Sequence, residues 1–220
     1  MAVTLGEEIA LLSLDDESGA TKERASAAWA VAGGILLELT MAGRVTVTGE
    51  RLAVVDTTPT GDTLLDGRLR LLAEWTRSNR GRKVTDWLAK DQSKATQATV
   101  ESLCERGLVV EERHRVLGLF PVRRYPEADG SVERELRERL ASAVLEGAQP
   151  DERTSGLVAL LHAARLHHLA FPELPRKQVE ARMAEIAEGQ WAGDGVREAI
   201  RNMQAALVAI TVVTAATAAL

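Results

Sequence analysis

The spacing of apolar positions divides the chain into a series of helices with two short stretches of alternating character. The first apolar set, Leu5, Ile9, Leu11 and Leu12, starts behind Thr4-Leu5-Gly6-Glu7, a capping box, and Asp15, Asp16, Glu17, Ser18 and Gly19 close it as a turn. Residues 25–42 are apolar on every side, with Glu38 the only charge and Gly43 placed to stop the helix. A carboxylate in such a run is costly unless paired, so Glu38 is expected at the edge of the core or against Arg44 or Arg68. Residues 44–48 and 51–56 alternate Val, Thr, Leu and Val around Gly49-Glu50, which reads as a β-hairpin. Leu65, Leu69, Leu72 and Trp75 then return to helical spacing, with Thr60 or Asp62 as the cap.

Beyond residue 80 the pattern suggests a helix over 84–90, a break, a helix over 95–106, and a hairpin from 108–113 and 116–124. A helix pair followed by a β-wing is the order of a winged helix, so DNA binding is a rival reading for this stretch. The outward Gln97, Glu101 and Glu105 of its second helix would repel phosphate. Three amphipathic helices follow, at 131–145, 152–169 and 175–188, punctuated by Pro150, Pro172 and Pro175. The last run, 203–220, is uncharged and as a helix spans roughly 27 Å, the scale of a bilayer core. It is rich in alanine, carries Thr211, Thr214 and Thr217, and has no flanking Trp or Tyr. The economical reading is a helix surrounded by protein, in which an arginine at Ala209 would be severely destabilising. The fold class expected is mainly α: a single globular domain over 1–220, with apolar central helices ringed by amphipathic ones and one or two β-hairpins.

Composition narrows the function classes. Hydrophobic residues at 45% and charged residues at 27% are those of a soluble globular protein, and an aromatic share of only 3% leaves the packing to Leu and Ala. The lone Cys104 excludes an internal disulfide and a cysteine-based zinc cluster and fits a cytoplasmic protein; no signal peptide is visible. His162, His167 and His168 lack the three- or four-residue spacing of a helical metal pair. Asp62 and Asp66 have no His or nucleophile near them in sequence, and no phosphate loop, dinucleotide turn or nucleophile elbow occurs. Neither an enzyme nor a cofactor or metal site is expected. Charge is unevenly spread: the chain carries −5 overall, yet residues 80–124 hold ten basic against six acidic groups. That imbalance is compatible with a face that meets phosphate, while a solvated surface of mixed charge is the simpler reading from composition alone.

The order of motifs resembles the Golgi phosphoprotein 3 family across nearly the whole length. The residues that carry it are Leu5-Gly6-Glu7-Glu8-Ile9-Ala10-Leu11-Leu12, Ile35-Leu36-Leu37-Glu38-Leu39 with Gly43-Arg44, and Pro59-Thr60-Gly61-Asp62-Thr63-Leu64-Leu65-Asp66. Leu103-Cys104-Glu105-Arg106-Gly107-Leu108, the hairpin through Phe120, and the final apolar helix add to it. The resemblance implies a helical domain with a projecting hairpin and a non-enzymatic role. Eukaryotic members are peripheral membrane proteins that bind phosphatidylinositol 4-phosphate and help retain glycosyltransferases through their cytosolic tails. In those proteins a tryptophan and several arginines line the headgroup pocket. Their positions fall here at Glu23 or Arg24, at Ala32 or Gly33, and at Ser93 and Thr96, so Arg24 alone keeps a basic group.

The expected role is therefore that of a compact bacterial relative, cytoplasmic and peripheral on the inner face of the membrane, touching anionic phospholipid headgroups. Candidate headgroup residues are Arg24, Arg80, Arg82, Lys83, Lys94, Arg123 and Arg124. Leu117, Leu119, Phe120 and Val122 are candidates for the membrane-contacting hairpin, and Glu38, Gly61, Asp62 and Asp66 for the structural motif. The partners expected are an anionic membrane surface and cytosolic tails of membrane proteins, with no nucleic acid. A protein adaptor without lipid binding is the third reading.

Overall fold

The capping box at the start of the chain forms as its residue types require. The Thr4 Oγ1 accepts from the Glu7 N–H at 3.2 Å, and the Glu7 carboxylate accepts from the Thr4 N–H at 2.6 Å. In the computed structural model, which describes residues 3–14, 23–78, 83–116, 120–128, 130–188 and 194–218, this cap opens α1 (Leu5–Ser13). All nine residues of α1 are buried, Glu7 and Glu8 included. It is the innermost helix rather than one of the surrounding amphipathic ones. The acidic turn expected after it lies outside the described residues.

The apolar run at 25–42 is α2 (Arg24–Met41), and Gly43 ends it at φ +70°. The Arg44 N–H reaches the Leu39 carbonyl at 2.9 Å and the Gly43 N–H reaches Thr40 at 3.0 Å, the paired bonds of a Schellman stop. Two glycines bring α1 and α2 into backbone contact: a Cβ on Gly34 would lie 3.0 Å from the Gly6 nitrogen and 3.1 Å from the Leu5 carbonyl carbon. The strands β1 (Val45–Thr48) and β2 (Arg51–Val54) pair antiparallel, with Val45, Val47 and Leu52 turned into the core. Then α3 (Thr63–Arg77) lays Leu65, Leu69, Leu72 and Trp75 inward.

One helix, α4 (Val84–Glu105), replaces the expected helix–break–helix. Its polar middle, Asp91-Gln92-Ser93-Lys94, suggested a break, but it contains neither Gly nor Pro, and Asp91 is buried against Arg68 of α3. A tertiary ion pair thus holds the polar turn in helical form, and the winged-helix reading loses its helix pair. The Schellman bonds recur at its end, where the Leu108 N–H meets the Leu103 carbonyl at 2.9 Å and Gly107 takes φ +69°.

A second antiparallel hairpin follows, β3 (Glu112–Val116) and β4 (Phe120–Arg124), starting later than the expected residue 108. Residues 108–110 run beside 126–128 through isolated bonds instead, including the Val110 N–H to the Pro126 carbonyl at 3.0 Å. The remaining helices are α5 (Ser131–Val144), α6 (Glu152–Ala163), α7 (His167–Ala170), α8 (Arg176–Ala187) and α9 (Asp194–Ala218). The helix expected over 152–169 stops at Ala163 because Arg165 turns the chain at φ +59°. The fold is a mainly α single domain in which α1 and α2 form the centre and α4, α6 and α9 enclose them.

The reading of α9 as buried on every side needs correction. It presses Ala199, Ile200, Met203, Ala206 and Leu207 against the core, and Met203 and Leu207 lie over Gly33 of α2, but Val208 is 48% exposed and Ala209 is exposed too. Among the described residues no helix is long and apolar enough to cross a membrane. Ala209→Arg is therefore expected to shift stability by no more than about 0.5 kcal/mol, the usual range for surface positions. Thermal melts of wild type and variant check this, and a drop of ten degrees would restore the fully buried reading.

Candidate functional site

Four positions marked in the sequence turn out to organise the interior. Gly61 takes φ +89°, a turn that only a residue without Cβ makes cheaply, and it delivers Asp62 to the start of α3. One Asp62 oxygen accepts from the Leu65 N–H at 3.0 Å, while the other meets the Arg106 guanidinium at 2.7 Å. Arg106 also lies 3.3 Å from the buried Glu7 carboxylate, so the start of α3, the end of α4 and α1 are tied at one guanidinium. Asp66 accepts from the Thr60 N–H and hydroxyl at 2.6 and 2.7 Å. Both aspartates are engaged by structural partners, and among the described residues neither is hydrogen-bonded to a His.

Glu38 meets neither Arg44 nor Arg68. Its partner is Arg153 of α6, and its second oxygen accepts from the Leu5 N–H at 2.5 Å. Arg44 instead binds Asp56 at 2.9 Å, and Arg68 is taken by Asp91. Arg153 reaches three groups: Glu38, the Glu8 carboxylate at 3.2 Å and the Val3 carbonyl. Arg139 of α5 stands 2.9 Å from the other Glu8 oxygen. Burial raises the Glu8 carboxyl above its ordinary range, with Arg139 and Arg153 opposing that shift. Glu8 and Glu38 are thus anchoring charges, and the sequence could not have named their partner, which lies more than a hundred residues downstream.

Arg24, Ser93 and Thr96, three of the positions onto which the eukaryotic headgroup pocket maps, come together in space. They line a groove of about 840 Å³ between the start of α2 and the middle of α4, with Ala25, Ala28, Gln97 and Tyr125. Ala32 and Gly33 do not join them: both are buried in α2. The electrostatics of this groove are those of an acidic site. Glu101, Glu105 and Glu111 share its wall with the single Arg24. The Cys104 thiol on the same wall registers that field: burial pushes it up, and Glu111, Glu101 and Glu105 push it further. A phosphate monoester entering here would meet three carboxylates and one guanidinium.

The other cationic candidates are scattered. Lys94 is exposed on α4 next to the groove. Lys83 precedes α4, and its ammonium is held by Glu50 at 2.6 Å, a contact that raises its pKa. Arg80, Arg82, Leu117 and Leu119 lie outside the described residues. The hairpin register separates the remaining four. Arg113 pairs with Arg123 and Arg115 with Pro121, whereas Glu112 pairs with Arg124, His114 with Val122 and Val116 with Phe120. Alternation along a strand therefore places Arg113, Arg115 and Arg123 on one face, and Phe120, Val122 and Arg124 on the other. Arg123 and Arg124, adjacent in sequence, fall at alternate positions of β4, and Arg113 and Arg115 are not among the sequence candidates. The period-two spacing of Arg113 and Arg115 is the signal in the sequence that places them at like positions of one strand.

His162 and His167 stack edge to face at 5.3 Å and share a 3.2 Å contact between ring nitrogens. Among the described residues no group of three metal-binding side chains assembles.

The model of the family described as Golgi phosphoprotein 3 (GPP34) matches residues 5–203, from the first residue of α1 to Met203 in α9. That match takes in both hairpins, the groove and the Arg153 and Arg106 anchor points. The chain belongs to the Golgi phosphoprotein 3 family.

Proposed function

We propose that this protein is a non-enzymatic peripheral adaptor that meets anionic phospholipid surfaces through the arginine face of β3–β4, without a pocket selective for one headgroup. The observation behind this is the hairpin register, which gathers Arg113, Arg115 and Arg123 on one face of a two-stranded ribbon. Arg113 and Arg123 are directly opposed in the register, and Arg115 lies two positions along from Arg113. Three such residues at an anionic surface contribute about 1 kcal/mol each, giving weak, salt-sensitive attachment. The acidic wall of the α2–α4 groove argues against phosphatidylinositol 4-phosphate as its occupant. The place of action that follows is the cytoplasm and the inner membrane face.

Flotation with vesicles tests this. Recovery is expected with phosphatidylserine vesicles at low salt, and little at high salt or with phosphatidylcholine alone. At matched charge, phosphatidylinositol 4-phosphate should do no better than phosphatidylserine. The triple variant R113Q/R115Q/R123Q should lose recovery while keeping its thermal transition. Equal recovery with neutral and anionic vesicles would sink the proposal.

One observation favours a second role for the groove. Glu101, Glu105 and Glu111 beside Tyr125 suit a cationic segment, such as the basic cytosolic tail of a membrane protein. An adaptor of this kind would hold the membrane with one face and a client with another.

A further inference from the structure

A second cavity, of about 440 Å³, lies where α6, α8 and α9 meet, separate from both the groove and the hairpin. Its lining has the opposite character. Arg197, Arg201 and Gln204 come from α9 at spacings of four and three, which puts them in a row on one side of that helix. His162 enters from α6, and Ala184, Ala187 and Glu188 form the α8 wall. Arg201 makes no ion pair among the described residues, so its guanidinium is open to an anion. The Nδ1 of His162 is engaged by His167, which leaves its Nε2 as the nitrogen for a ligand.

We infer that this cavity is an anion site for a small hydroxylated phosphate monoester, with Arg197, Arg201, Gln204 and His162 holding the phosphate and Glu188 accepting from a hydroxyl. The residue chemistry supports each part. Guanidinium groups match phosphate oxygens in geometry and charge, and a carboxamide adds a neutral donor. The cavity volume fits a ligand of a few heavy atoms beyond the phosphate. Glu188 would repel a second phosphate, so a monoester is preferred over a diphosphate.

The site should respond to pH. Burial lowers the His162 pKa, with Glu180 opposing that shift and Arg176 adding to it. The groups facing this ring are His167 on α7, Arg176, Glu180 and Glu188 on or next to α8, and Arg197 and Arg201 on α9. His162 is therefore mostly neutral at pH 7.5, and a bound dianion draws a proton onto it. Affinity rises as pH falls toward 6.

Calorimetric titration of the full chain with inorganic phosphate and with glycerol 3-phosphate, at pH 6.0 and 7.5, tests the site. Saturable binding is expected for both, tighter at pH 6.0, with glycerol 3-phosphate the stronger. R201Q should weaken it by about tenfold, since it removes a charge-assisted contact at an exposed position that leaves the fold intact. Q204L serves as a second variant and should weaken it less. Proton NMR of the four histidines adds a second readout: the His162 resonance should titrate at higher pH when phosphate is present, and should not move in R201Q. Vesicles bearing phosphatidic acid distinguish the source. Arg201-dependent flotation would assign the phosphate to a lipid, and its absence beside soluble binding would assign it to a metabolite. No saturable binding of either soluble probe together with no Arg201-dependent flotation, or equal affinity in wild type and R201Q, overturns the inference.

Discussion

Arg153→Ala is expected to be among the most damaging single changes in the protein, lowering stability by about 3–5 kcal/mol. The guanidinium is three-quarters buried and joins Glu8, Glu38 and the Val3 carbonyl. Removing it takes that partner from the buried Glu8 and the part-buried Glu38 at once, with Arg139 still beside Glu8. For a chain of this length that corresponds to a fall of about 8–15 °C in the melting temperature. A pH series makes the prediction specific. The folded Glu8 carboxyl already sits above its ordinary pKa because it is buried, and losing Arg153 raises it further. A folded state that binds a proton more tightly than the unfolded chain loses stability as pH rises through the folded value. The deficit of the variant should therefore be largest near pH 7.5 and shrink toward pH 5. A deficit independent of pH would show that Arg153 acts through packing alone.

Gly34→Val is the second large effect, expected to cost about 3 kcal/mol or more. A Cβ at this position already meets the Leu5–Gly6 backbone at 3.0–3.1 Å and the Ile9 side chain at 3.2 Å, and valine adds two further carbons. The obstacle is main chain in a fully buried helix, which cannot swing aside as a flexible side chain would. Gly67 is the control. It lies within α3 at helical φ, and a Cβ added there would meet nothing within 4 Å, so Gly67→Ala should raise stability by about 0.4–1 kcal/mol. Chemical denaturation of the two variants reports both signs. If Gly34→Val and Gly67→Ala behaved alike, the close approach of α1 and α2 would be disproved.

Most of the architecture was legible in the sequence because it rests on local rules. The capping box at Thr4, the stop at Gly43, the first hairpin around Gly49-Glu50 and the apolar face of α3 are each encoded within a few residues of where they act. What failed depended on distant partners. The break expected in α4 disappears because Arg68 is waiting for Asp91, and Glu38 is satisfied from α6 rather than from the arginines near it. Residues 203–210 read as surrounded because they carry no charge, yet alanine and valine also sit on surfaces, as Val208 and Ala209 do. The site divided in the same way. The family resemblance marked Arg24, Ser93 and Thr96 as pocket positions and they do line one groove, but its acidic wall is completed by Glu111, beyond the end of the helix. For the hairpin, adjacency in sequence misled, since neighbouring strand residues face opposite ways.

The complete burial of α1 also bears on how the chain reaches its fold during synthesis. Within α1, Glu8 precedes its partner Arg153 by 145 positions. At about 5–20 residues per second, that segment is exposed for roughly 7–30 s before its counterpart is made. Throughout that time a helix bearing Leu5, Ile9, Leu11 and Leu12 has no finished cavity to enter. The nascent protein should accordingly depend on holding chaperones near the ribosome, and a ribosome stalled before α6 should display a protease-sensitive N-terminal segment that becomes resistant once α6 has emerged.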